Sequence, residues 1–186
     1  MLDRDELVSR CLAASTDPEP RLAIRDVLRE VVASRPVGPD DIGRPDSGWL
    51  DFWYRSPGLT VLNAVWPPRI SLYPHDHRMW AAIAIYGGQE DNTFYRRAGD
   101  RIEVSGGKEL REHDVLLMGD DTVHAVTNPL GRYTGAVHVY GGDFVTQPRS
   151  QWDPESLVEA PYDIAQVRLV FERAQADFEG SGSRPD

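Results

Sequence analysis

Between residues 3 and 34 apolar side chains recur at helical spacing: Leu7, Cys11 and Leu12, then Leu22, Ile24, Val27, Leu28 and Val31. A Pro-containing break at Asp17 to Pro20 divides the pattern, so two amphipathic helices are expected. The polar stretch RPVGPDDIGRPDSG that follows reads as a loop over the body of the domain. From Trp49 to Phe144 the period shortens. Strands are expected over 59–66, 77–86, 92–97, 102–105, 114–118, 123–128 and 132–140, separated by the turn signals PPRIS, GGQED, RAGD, SGG, MGDD and NPLG. Short strands at this spacing predict an antiparallel sandwich or barrel of the jelly-roll type. Over 162–178, Ile164, Val167, Val170, Phe171, Ala174 and Phe178 mark an amphipathic helix packed on the body, and EGSGSRPD reads as a frayed end.

A chain of 186 residues suits one domain. It is expected to divide into a helical extension and loop (1–48), a β-barrel core (49–145) and a C-terminal helix with its tail (146–186). Lys and Arg number 20 against 30 Asp and Glu, a formal charge of −10, which argues against nucleic acid or an anionic membrane as partner. Cys11 is the only cysteine, so an intrachain disulfide and a cysteine-based zinc site are both excluded. The longest apolar run, 79–86, is far short of the roughly 20 residues of a membrane-spanning helix. The start MLDRDELVSRCLAAS lacks the basic and apolar regions of a secretory signal, and with the lone cysteine a cytoplasmic location is expected.

The five histidines carry the chemistry. His75 and His77 form HDH at the expected start of the strand YPHDHRMWAAIAIYGG, where residues two apart share a face and Asp76 points the other way. Paired neutral imidazoles make half of a metal site. No Asp or Glu follows His77 within a strand's length, the first being Glu90 beyond the GG turn, so His124 in GDDTVHAVTN is the better third ligand. Three neutral imidazoles would leave a metal its full charge, favouring an anionic substrate bound to the ion, and a thiolate would suit Fe(II) with open positions. His138 and Tyr140 alternate onto one face with Ala136, whereas His113, between polar neighbours, is expected to be an exposed turn residue.

Trp66, then HDH nine residues on (WPPRISLYPHDH), then HAVTN, then VHVYGG resembles the cysteine dioxygenase group of cupin-superfamily thiol dioxygenases, over about residues 50 to 145. The resemblance implies a mostly β chain folded as a double-stranded β-helix, with helices packed outside it. It further implies mononuclear Fe(II) held by His75, His77 and His124, and oxygenation of a small thiol by dioxygen to a sulfinic acid. Tyr140 would reach the substrate and be held by His138. Three departures stand out. Family members often carry a serine two residues before that histidine, where this chain has Ala136, so a Ser-His-Tyr relay lacks its outer member. The cysteine that crosslinks to the tyrosine in animal members is replaced by Ala82. The arginine that clamps the substrate carboxylate sits in a Tyr-x-Arg setting, whereas here Trp53-Tyr54-Arg55 makes Arg55 the candidate clamp. Other readings of the same residues are a metal-binding cupin with non-thiol chemistry, such as another oxygenase, an isomerase or a hydrolase, on zinc, nickel or manganese, and a small-molecule-binding module without turnover.

Overall fold

The computed structural model describes residues 3–33, 48–99 and 101–180. The expected loop RPVGPDDIGRPDSG, apart from Gly48, and the tail beyond residue 180 lie outside them. The chain opens on two helices, α1 (Arg4–Ala14) and α2 (Pro20–Ala33). Asp3 caps α1, its carboxylate accepting the Glu6 amide at 3.1 Å, and Pro20 begins α2 where a missing N–H costs nothing. Each helix buries one stripe, Leu7 and Cys11 on α1 and Ile24, Leu28 and Val32 on α2.

Eleven strands follow: β1 (Leu50–Arg55), β2 (Thr60–Trp66), β3 (Ser71–Asp76), β4 (Ala81–Gly87), β5 (Gln89–Ala98), β6 (Arg101–Arg111), β7 (Val115–Met118), β8 (Val123–Thr127), β9 (Thr134–Tyr140), β10 (Ser150–Trp152) and β11 (Glu159–Pro161). They form two antiparallel sheets, ordered β1-β2-β9-β4-β7 and β11-β10-β3-β8-β5-β6. The pairing nests: β2 with β9, β3 with β8, β4 with β7 and β5 with β6, as in one long hairpin. Except at the β5–β6 hairpin, successive strands from β2 to β9 alternate between the sheets, so the hairpin is wound into a double-stranded β-helix, the cupin fold. A last helix, α3 (Ile164–Gly180), lies against the barrel and sends Val167 and Phe171 into its interior, where Phe171 meets Trp49 and Trp66 at ring separations of 5.1 and 5.3 Å.

The central strands of the first sheet, β2, β9 and β4, are buried on both faces. Leu62, Ala64, Ile83, Ile85 and Ala136 point into the barrel, while Val61, Val65, Ala82, Ala84, Val137 and Val139 pack under α1 and α2. This is why β4 reads as an unbroken apolar run instead of an alternating one. Four strands have no counterpart among those expected. β1, β3, β10 and β11 have no clean hydrophobic period, and β10 and β11 extend the second sheet beyond residue 145. β6 runs to Arg111, well past its expected end, as an exposed edge strand whose polar residues hide the pairing with β5. No helix among the described residues is long and apolar enough to cross a membrane.

Close packing between neighbouring strands is demanding at Gly135, where a Cβ would stand 2.3 Å from the Tyr86 ring, itself pinned by its hydroxyl to Asn63 at 2.8 Å. Gly135→Ala is expected to destabilise the fold by about 1–3 kcal/mol through overpacking, lowering Tm by several degrees in thermal unfolding. Gly58→Ala, with open space around its Cβ, should leave Tm unchanged.

Candidate metal centre

The nested pairing sets His75 on β3 directly opposite His124 on β8, after a bulge between Leu72 and His75 that re-aims the strand. His77 arrives by a different route. β3 ends at Asp76, and the chain turns through Arg78, whose φ is 54°, before β4 starts at Ala81. HDH therefore closes one strand and does not open the next, which corrects the expected strand over 77–86. The three rings stand 4.7 to 5.1 Å apart, and the ligand nitrogens all lie within 4.8 Å of one another. Nε2 of His77 and Nε2 of His124 are 3.4 Å apart. Metal–nitrogen bonds of 2.0–2.1 Å place neighbouring ligand nitrogens about 3.0–3.4 Å apart, so this donor set fits a divalent ion after small adjustments.

All three histidines are buried. Burial pushes the His75 imidazolium down to about 4, the nearby Arg149 and His138 adding to the shift against a bond to the Tyr73 carbonyl. Burial and the neighbouring histidines hold His77 and His124 well below the ordinary value. The imidazoles are therefore neutral at pH 7, the form a metal requires. His75 Nδ1–H donates to the Tyr73 carbonyl at 3.0 Å, which frees its Nε2 for an ion.

A second layer of polar groups backs the triad. Asn92 Oδ1 lies 2.7 Å from His124 Nδ1, and Asn92 Nδ2 donates to Glu90 Oε1 at 3.1 Å. Glu90 Oε2 accepts Trp66 Nε1–H at 2.7 Å and lies 3.2 Å from His138 Nε2, while His138 Nδ1 is 3.0 Å from the Tyr140 hydroxyl. Glu90 is fully buried. Burial raises its pKa, but His138, Asn92 and Trp66 together bring it below the ordinary value, so it is ionised. Sequence reading weighed Glu90 only as a ligand. The cue to its partnership with Asn92 is their spacing of two in QEDN, which puts both on the inner face of β5. Trp66 is buried and also anchors Glu90.

Tyr140 packs its ring 4.8 Å from His77, and burial pushes its hydroxyl pKa far up, so it stays protonated. Beside it stands Arg149. Its guanidinium carbon is 3.8 Å from the ring centroids of both Phe144 and Tyr162, and those rings are each 6.0 Å from a triad histidine, His77 and His75 respectively. Arg149 is 9% exposed, and its Nη1 is buried with no hydrogen-bond partner among the described residues. Phe144, Arg149 and Tyr162 also line a cavity of about 380 Å³ with Trp49, Phe52 and Ile164. Nothing in the local sequence VTQPRSQW marks this arginine, because it precedes a three-residue strand without hydrophobic period.

Arg55, the expected clamp, is paired with Asp143. Its Nε and Nη2 bond to the two Asp143 oxygens at 2.7 and 2.9 Å, and the pair holds the Asp143 carboxyl well below its ordinary range. Asp76 is buried, 1% exposed, paired with Arg78 at 2.7 Å and Arg97 at 2.9 Å, and accepts the Ser150 amide at 2.7 Å. Asn128 spans the turn between β8 and β9, its Nδ2 donating to the carbonyls of Trp66, Pro67 and Arg132. His113 is an exposed turn residue bonded to the Val32 carbonyl.

No protein-family model matches the chain. Solved structures similar to it include an RmlC-like cupin with a double-stranded β-helix fold from Methanocaldococcus jannaschii, 10% identical over 55% of this chain and 86% of that one, with a TM-score of 0.46. A protein from Bacillus halodurans is 15% identical over 58% of this chain and 82% of its own, with a TM-score of 0.48. A variant of Bacillus subtilis oxalate decarboxylase is 17% identical over 47% of this chain and 22% of its own, with a TM-score of 0.39. Likeness at this level leaves the nested strand order as the ground for the fold, and the convergent histidines as the ground for a metal site.

Proposed function

We propose that the chain is an iron(II)-dependent thiol dioxygenase of the cysteine dioxygenase type, oxidising a small carboxylate-bearing thiol to its sulfinic acid. The observation that carries this reading is the company of the triad: a tyrosine hydroxyl held by a histidine, and a buried guanidinium with an unpaired nitrogen. A ligand set of three neutral imidazoles, without a carboxylate, suits an anionic thiolate. In the reaction two S–O bonds form and the O–O bond breaks. The sulfur loses four electrons and dioxygen gains them, so no further reductant is needed.

His75, His77 and His124 would hold the ion, which when bound supplies open coordination positions for thiolate and dioxygen. Arg149 would take the substrate carboxylate, because its planar fork is preorganised between two rings and one of its nitrogens lacks a partner. Arg55 is already committed to Asp143, so the clamp role passes to Arg149. Tyr140, kept protonated by burial and fixed by His138, presents a polar oxygen beside His77. Phe52, Phe144 and Tyr162 make the approach apolar and strip water from a small substrate.

Iron analysis of His124→Ala should show bound metal falling from near one per chain to a small fraction, and unchanged stoichiometry would overturn the ligand set. Iron-loaded, reduced protein should consume oxygen in equal amount to thiol with cysteine or 3-mercaptopropionate, and less readily with cysteamine, which has no carboxylate. Arg149→Met should raise KM for the carboxylate thiols on the order of tenfold or more and leave that for cysteamine alone, while Arg55→Met changes neither. Absence of oxygen uptake with all three thiols would sink the activity.

The metal-free protein carries a pH signature. Above about pH 6.5 the triad is neutral in folded and unfolded chains alike. Below it the unfolded chain binds protons that the folded one refuses until about pH 4, the value for His75, or lower for its two neighbours. Stability should therefore fall as pH drops from 6.5 toward 4. Thermal unfolding of His77→Gln, with one such group fewer, should show a shallower slope; equal slopes would contradict the burial argument.

A further inference from the structure

We infer that Glu90 is the positioning residue that decides which ring nitrogen of His124 and of His138 carries the proton, and so whether His124 can offer Nε2 to a metal ion. The inference rests on the triad being a metal site, and it follows from donor and acceptor logic along a single chain of hydrogen bonds. An ionised carboxylate only accepts. Asn92 must therefore turn its NH₂ toward Glu90 Oε1, 3.1 Å away, which turns its carbonyl toward His124 Nδ1, 2.7 Å away. A carbonyl also only accepts, so His124 Nδ1 must bear the proton and Nε2 keeps its lone pair, on the side where it lies 3.4 Å from His77 Nε2. Two hydrogen bonds thus carry the charge state of Glu90 to the ligand atom.

The other oxygen works in the opposite direction along the barrel. Glu90 Oε2 faces Trp66 Nε1, a donor with no alternative, at 2.7 Å, and His138 Nε2 at 3.2 Å. His138 must protonate Nε2 to meet it. In its neutral form Nδ1 then accepts, and the Tyr140 proton points at His138 from 3.0 Å, leaving the tyrosine lone pairs for the substrate side. The position often filled by serine in the family that the sequence resembles is Ala136, yet the histidine does not lack an outer partner: a buried carboxylate from β5 supplies it. One side chain therefore sets both the metal ligand and the tyrosine.

Glu90→Gln separates this role from packing, since it keeps shape and removes one acceptor. The indole of Trp66 cannot accept, so the Gln carbonyl must stay on its side and the Gln NH₂ must face Asn92. Asn92 then flips, offers NH₂ to His124 Nδ1, and forces the proton onto Nε2. Nitrogen-15 NMR of the ring tautomers in metal-free protein should show His124 switching from Nδ1–H to Nε2–H. His75, tied independently to the Tyr73 carbonyl, should not change, whereas general loosening would disturb both. Co(II) affinity, measured by titration, should fall about 10–100-fold. The double variant Glu90→Gln with Asn92→Asp exchanges amide and carboxylate, restores every donor to an acceptor, and should recover both the tautomer and the affinity.

A folded Glu90→Gln protein that keeps Nδ1–H on His124, or a double variant that recovers neither readout, overturns the inference. If the single variant fails to fold, the wild type still decides: metal-free His124 without a proton on Nδ1, or His138 without one on Nε2, overturns it. Wild-type protein that takes up no Co(II) would instead remove the metal reading, and the tautomers alone would then judge the role of Glu90.

Discussion

A negative charge buried inside a β-barrel dictates what may surround it. Glu90 is shut off from solvent, so each oxygen must be met by a donor, and three side chains, one on its own strand and two from other strands, are oriented to do so. Leaving such a carboxylate half satisfied would cost several kcal/mol, more than any one contact on the surface contributes. Trp66 at the end of β2, Asn92 on β5 and His138 on β9 are held accordingly. His124, through Asn92, and Tyr140, through His138, are thereby hydrogen-bonded to groups that Glu90 already engages.

The winding of the strands makes this possible. Because β3 pairs with β8 and β8 pairs with β5, the residues His75, His124 and Asn92 lie across three adjacent strands of one sheet, while His138 and Tyr140 face them from the other. The first sheet can devote inner positions to polar residues because α1 and α2 bury its outer face, adding apolar area that a one-sided sheet would lack. Structure and chemistry are divided between the two faces. The outer one, with Val61, Ala82, Val137 and Val139, is mostly apolar, its Asn63 bonded to the Tyr86 hydroxyl, and the inner one tolerates His138 and Tyr140.

How much of this was legible in the sequence depends on whether a residue's role is local. The two N-terminal helices, the C-terminal helix and most barrel strands follow from period and turn residues, since both signals are confined to a few neighbouring positions. The three histidines stand out for the same reason, two of them adjacent in HDH and the third on a clear strand. Arg149 was invisible because its significance lies in Phe144 and Tyr162 closing on it, in a segment whose two short strands show no period. Arg55 lies in a recognisable local pattern, Trp53-Tyr54-Arg55, whereas the residue that engages it, Asp143, is 88 positions away and cannot be read from its neighbours. Glu90 fell between these cases: its burial could not be read beyond the GG turn, although its spacing from Asn92 could.

Net charge behaves in the same way, informative globally and misleading locally. The formal charge of −10 is a property of the whole chain, yet the triad keeps no carboxylate of its own. The nearest buried negative charge, Glu90, is already met by three donors, while Arg149 retains an unpaired one. Charges exposed to water are screened within about 8–10 Å at ordinary ionic strength, whereas a guanidinium between two rings in an apolar cavity is not. On the proposed function, the field that a small anionic substrate meets would therefore be set by Arg149 and by the ion that the histidines would hold, whatever the net charge of the chain.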